Sequence, residues 1–133
     1  MKDMRYLVPG VLIGFILLFA SCKREEVVRV AGKGGNASLR ITPVHGSSET
    51  IESCTLYLRY NTLDKPANNK YDEQVECNRV DGKLMGAFSD LKTGDYYIYG
   101  VGYNPDHGDT VRGGYPITIE EERLHTVTLQ LGH

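Results

Sequence analysis

From Ala37 onward, apolar residues recur at every second position, the spacing of a strand with one buried face. Ala37, Leu39 and Ile41 alternate with Ser38, Arg40 and Thr42. Cys54, Leu56, Leu58 and Tyr60 alternate with Thr55, Tyr57, Arg59 and Asn61. Five further runs follow: 74–80, 83–88, 95–103, 115–119 and 124–131. Turn-forming pieces separate them, among them Thr42-Pro43, His45-Gly46, Asp64-Lys65-Pro66, Lys92-Thr93-Gly94 and Asn104-Pro105. Asp81-Gly82 between two runs is a hairpin signal, because both central positions of a tight hairpin turn need positive φ. No stretch after the leader sustains a helical stripe. The pattern predicts an all-β fold, an antiparallel β-sandwich of about seven strands. Its core is expected to be Leu39, Ile41, Leu56, Leu58, Phe88, Leu91, Ile98, Ile117, Ile119, Val127 and Leu129.

The first 21 residues do not share this period. Lys2 and Arg5 make a basic start, Leu7 to Phe19 an apolar stretch, and Ala20-Ser21 a small-residue cleavage position. The unbroken run Val11 to Ala20 is about half of the roughly 20 residues a spanning helix needs. Leu18-Phe19-Ala20-Ser21-Cys22 resembles a bacterial lipobox, with phenylalanine where leucine is commonest. The resemblance implies cleavage before Cys22, a diacylglycerol on its thiol and an acyl chain on its amine. Two or more chains anchor a protein stably to a membrane. The expected organisation is a signal peptide at 1–21, the lipidated cysteine and a flexible linker at 22–36, and a sandwich domain at 37–133. Gly-rich composition around Lys23-Arg24-Glu25-Glu26 reads as a spacer. The same charges look like an export tag or an ordinary solvated linker, and Val27 to Val30 could add a short edge strand. Location in the cell envelope follows from the resemblance, and Lys23, standing where some lineages carry an aspartate that retains lipoproteins at the inner membrane, points to the outer membrane.

Removing Lys2, Arg5 and Asp3 from the 15 basic and 17 acidic residues leaves a net charge of −3. That mild acidity argues against a nucleic-acid partner. With Cys22 assigned to lipid, Cys54 and Cys77 remain as a pair in an oxidising compartment, where a disulfide is the default. Such a bond would contribute about 3 kcal/mol. Two buried free thiols are the alternative; a metal site or catalytic thiol has no histidine at ligand spacing to support it.

Phe88-Ser89-Asp90-Leu91-Lys92-Thr93-Gly94-Asp95-Tyr96-Tyr97-Ile98 resembles the signature of prealbumin-like sandwiches, the group that holds carboxypeptidase regulatory-like and Cna-B-type domains. The resemblance implies that Leu91 plugs one end of the sandwich and Gly94 allows the turn. Tyr96 would enter the core with its hydroxyl near backbone groups. It implies a binding module and carries over no catalytic residue.

Beyond Gly94, Tyr97, Tyr99 and Tyr103 fall on the face opposite Tyr96 and Ile98, with Gly100 and Gly102 keeping the core side slim. Tyrosines there would offer rigid contact area with a hydroxyl; covering by a neighbouring strand or loop is the competing reading. Asn104, Asp106, His107 and Asp109 make a polar loop whose spacing fails the EF-hand pattern and suits a turn. No metal and no cofactor is expected. Neither a nucleophile elbow nor a His-Glu-x-x-His motif is present. The resulting expectation is a non-enzymatic lipoprotein, held at the membrane, that presents loops and a tyrosine strand to a protein or glycan. A structural role in a surface or adhesive assembly, or inhibition of an enzyme, are the alternatives.

Overall fold

The computed structural model describes residues 29–46 and 50–133. The expected signal peptide, Cys22 and most of the expected linker lie outside the described residues. Eight strands form a β-sandwich: β1 (Lys33–Val44), β2 (Ser53–Tyr60), β3 (Glu73–Glu76), β4 (Asn78–Val80), β5 (Lys83–Leu91), β6 (Gly94–Asn104), β7 (Asp109–Ile119) and β8 (Leu124–Gln130). One sheet runs β4-β5-β1-β8 and the other β3-β2-β6-β7. The alternation seen in the sequence becomes the two inner faces. Leu39, Ile41, Leu56, Leu58, Leu91, Ile98, Ile119 and Leu129 are all buried between the sheets. Ile117 is only partly covered, and Ile51, Leu84, Val111 and Leu131 join the core.

The strand count differs from seven because the run 74–80 serves both sheets. Glu73–Glu76 pairs with β2, whereas Asn78–Val80 pairs with β5, and the chain crosses between sheets at Cys77. The pairing is also not wholly antiparallel. β8 runs parallel to β1, from Ser38↔Leu124 to Val44↔Gln130. β7 begins at Asp109, six residues before Tyr115, because Thr110 to Gly114 continue the ladder with β6. The Asp81-Gly82 turn forms as expected, with φ of 53° and 82° at its two central residues.

β1 starts earlier than the spacer reading of residues 22–36 allows. Lys33 to Asn36 belong to the sheet, and Ala31 is already buried. The glycines that suggest flexibility here serve close approach: a Cβ at Gly35 would collide with the Leu91 carbonyl of β5. The ladder shifts register between Lys33 and Leu39 to accommodate the contact.

Tyr96 holds this entry in place. Its ring is fully buried, and its hydroxyl donates to the Lys92 carbonyl at 2.7 Å while accepting the Gly32 amide at 2.9 Å. The Lys92 amide returns a bond to the Gly32 carbonyl at 2.8 Å. Leu91 plugs the same end of the core. A Cβ at Gly94 would sit 2.9 Å from the Ala31 nitrogen, so only glycine fits that turn.

The sandwich is drawn together on both sides. On one side the chain passes directly from β3 through Cys77 to β4. On the other, Arg112 of β7 and Gly132 beyond β8 exchange two backbone bonds of 2.8 Å. Gly113 makes that approach possible, since a Cβ there would overlap the Gln130 carbonyl.

Candidate functional site

The outer face of the β3-β2-β6-β7 sheet carries the aromatic residues. The β2–β6 register sets Tyr57 opposite Tyr99 and Arg59 opposite Tyr97. In an antiparallel pair, opposed side chains share a face and lie within contact distance. The 61–72 connection then folds back over this face and adds Tyr71. Tyr71 and Tyr99 stack with ring centres 5.7 Å apart and planes 8° from parallel. Tyr57 touches both, at 5.3 Å from Tyr71 and 6.3 Å from Tyr99. Lys65, from the same connection, places its ammonium 4.8 Å from the Tyr99 ring centre. Aromatic pairs contribute about 0.5–1.5 kcal/mol beyond area burial, and an exposed cation–π contact about 0.5–1 kcal/mol. These contacts are strong enough together to hold the connection against the sheet.

Tyr97 lies across Gly114 of β7, where a Cβ would collide with its hydroxyl. Tyr97 and Tyr99 are therefore half-buried, and Tyr103 remains the exposed ring of the three. Both sequence readings of this face apply to part of it: a cover lies over Tyr99, and Tyr103 stands open. Two members of the cluster escaped sequence reasoning. Tyr57 was legible as an outward position of its strand, but its partner across the ladder was not. Tyr71 sits in a polar connection with no period at all.

Burial shapes the acidity of these hydroxyls. The Tyr71 hydroxyl is buried without a hydrogen-bond partner. Its pKa is pushed up to about 12, first by desolvation and then by the neighbouring tyrosines. Burial likewise raises Tyr97, with Tyr99 and Asp64 adding to the effect.

The polar loop does not act as a unit. Asn104 is fully buried and closes the turn: its side-chain oxygen accepts the Asp106 amide at 2.9 Å and its carbonyl accepts the Gly108 amide at 2.9 Å. Its amide nitrogen lies 3.4 Å from His45 Nδ1. Asp109 turns away, to His133 Nδ1 at 3.1 Å, and the His133 ring meets His45 edge-on at 5.2 Å. Asp106 and His107 are exposed on the loop. Asn104 is thus a structural clamp, as expected of an Asx turn. Among the described residues, no group of three His, Cys, Asp or Glu side chains is arranged to hold a metal ion.

Cys54 and Cys77 are brought together, but as free thiols rather than the expected disulfide. The Cys77 amide donates to the Cys54 carbonyl at 2.9 Å, so the two occupy one rung at the end of the β2–β3 ladder. Cys54 is buried and Cys77 partly buried. The Cys54 thiol donates to the Thr55 carbonyl at 3.7 Å, and the neighbouring Cys77 thiol together with burial raises its pKa. The adjacent Cys54 thiol lowers that of Cys77, against opposing contributions from burial and Glu76. Cys77 is therefore the thiol that ionises first.

No protein-family model, curated protein or solved structure matches the chain.

Proposed function

We propose that this chain is a non-enzymatic lipoprotein, anchored through Cys22 at the outer membrane, whose prealbumin-like sandwich binds a protein partner through its tyrosine face. The anchor rests on the lipobox resemblance. The family assignment rests on the Leu91, Gly94 and Tyr96 corner. The observation that carries the binding reading is a single sheet face holding the Tyr57, Tyr71 and Tyr99 cluster and, further along β6, the open Tyr103. Interfaces favour tyrosine because a rigid ring buries much area at little entropic cost.

The geometry favours a protein over a glycan. Sugar stacking needs a free ring face, and the face of Tyr99 is already taken by Tyr71 and Lys65. What remains open is the Tyr103 ring at one end of the face, while Arg59, Asp72 and Lys65 bring both charge signs to its other end. A face that carries an open aromatic ring and both charge signs suits a protein surface. An edge-strand role in a surface assembly is less well served: β3 and β4 are short, and the β7–β8 seam is bridged at Arg112.

Affinity capture from envelope extract with the full-length protein, run beside a glycan array, tests this reading. A specific protein should be retained, and Tyr103→Ala should weaken its binding about tenfold, or about 1.4 kcal/mol. Capture unaffected by Tyr103→Ala, or binding on the glycan array alone, would refute it.

A further inference from the structure

We propose that Cys54 and Cys77 form a thiol–disulfide exchange site, in which Cys77 attacks an incoming disulfide and Cys54 resolves the mixed disulfide. The proposal stands independently of the binding function above. Three observations carry it. The shared rung sets the backbone: residues on a hydrogen-bonded antiparallel rung have Cα atoms about 5.5 Å apart. A disulfide accepts Cα separations of roughly 4.4–6.8 Å, so closure needs side-chain rotation and no strand movement.

Space is the second observation. Gly86 of β5 lies across from the pair, and a Cβ there would come within 3.3 Å of Cys77 Sγ and 2.6 Å of Leu56 Cδ1. The missing side chain leaves the sulfur room to turn toward Cys54. Asymmetric access is the third. Cys77 sits at the bend where the chain leaves one sheet for the other, only partly buried, whereas Cys54 is part of the core. A small disulfide can reach the first sulfur and not the second.

The chemistry balances without any further reactant. The Cys77 thiol gives its proton to solvent, and its sulfur bonds to one sulfur of a donor RS–SR, expelling RS⁻, which takes up a proton. The Cys54 thiol then loses its proton, and its sulfur bonds to Cys77 Sγ and expels the second RS⁻, likewise protonated. Two protein thiols are oxidised by two electrons, and one donor disulfide becomes two thiols. Once Cys77 is in the mixed disulfide its negative charge no longer opposes ionisation of Cys54. The product ties the central strand β2 to the crossover between the sheets.

Full-length protein in detergent, treated with oxidised glutathione and mapped by peptide mass spectrometry, tests the assignment. The wild type should lose both of these thiols to a Cys54–Cys77 bond and show a raised unfolding midpoint. Cys54→Ser should accumulate a stable glutathione adduct on Cys77, while Cys77→Ser should leave Cys54 unmodified over the same time. Limiting iodoacetamide on the untreated wild type needs no mutation. It should label Cys77 first, because that thiol ionises more readily and is less buried. Equal labelling of the two cysteines, or an adduct on Cys77 in the wild type that Cys54 never resolves, would overturn the proposal.

Discussion

Tyr96→Phe removes one oxygen atom and is expected to loosen the entry to the whole sandwich. The ring itself would stay in place, packed edge-on against Tyr60 at 5.9 Å and 87°. What is lost is the hydroxyl that serves two backbone groups, the Gly32 amide and the Lys92 carbonyl. The Lys92 carbonyl keeps a second lone pair for water at the turn, whereas the Gly32 amide is left buried with no acceptor. An unsatisfied buried polar group costs about 1–3 kcal/mol, so a loss of about 2 kcal/mol is expected. For a domain of this size each kcal/mol moves the thermal midpoint by about 4–8 °C. Urea titration of wild type and variant should therefore show a lower midpoint at an unchanged slope. Hydrogen exchange should quicken at Gly32 and Lys92 ahead of the strand centres. Tyr103→Phe, at an exposed ring, should stay within about 0.5 kcal/mol of wild type. A Tyr96→Phe loss below about 0.5 kcal/mol, with Gly32 protection intact, would refute the clamp.

The Tyr71 hydroxyl presents the opposite case, because it is buried with no partner. Tyr71→Phe should be neutral or slightly stabilising in chemical denaturation near neutral pH. Its pKa is raised from 10.0 to about 12 in the folded protein, so the folded state holds its proton longer than the unfolded chain. The contribution is fully present below about pH 10 and is lost as pH rises toward 12. The wild type should therefore lose stability over that window more steeply than Tyr71→Phe, and parallel pH profiles would contradict the burial argument. Gly113→Ala should destabilise by about 1–3 kcal/mol, since its methyl would meet backbone rather than a movable side chain. Amide exchange at Arg112 and Gly132 should rise in that variant, and unchanged protection there would show that the seam tolerates the methyl.

The strands, their inner faces and the Tyr96 corner were legible in the chain because each depends on local spacing. A period of two reports a half-buried strand wherever it stands, and Asp81-Gly82 or Leu91-x-x-Gly94 encode backbone geometry within a few residues. The functional signals lying ahead of residue 29 are likewise local, and they remain expectations from the sequence. The tertiary structure decided everything that depends on which strand meets which. The run 74–80 looks like one strand, and only the competition between β2 and β5 for its two halves breaks it at Cys77. Gly34 and Gly35 read as slack until Lys92 is found against the first and the Leu91 carbonyl against the second. Tyr71 shows no pattern, yet it completes the aromatic cluster because the β2–β6 register offers Tyr57 and Tyr99 to the returning chain. Pairing and register arise from long-range packing between faces that a single sequence marks only as apolar or polar. The sequence therefore names the surfaces, and the fold determines their neighbours.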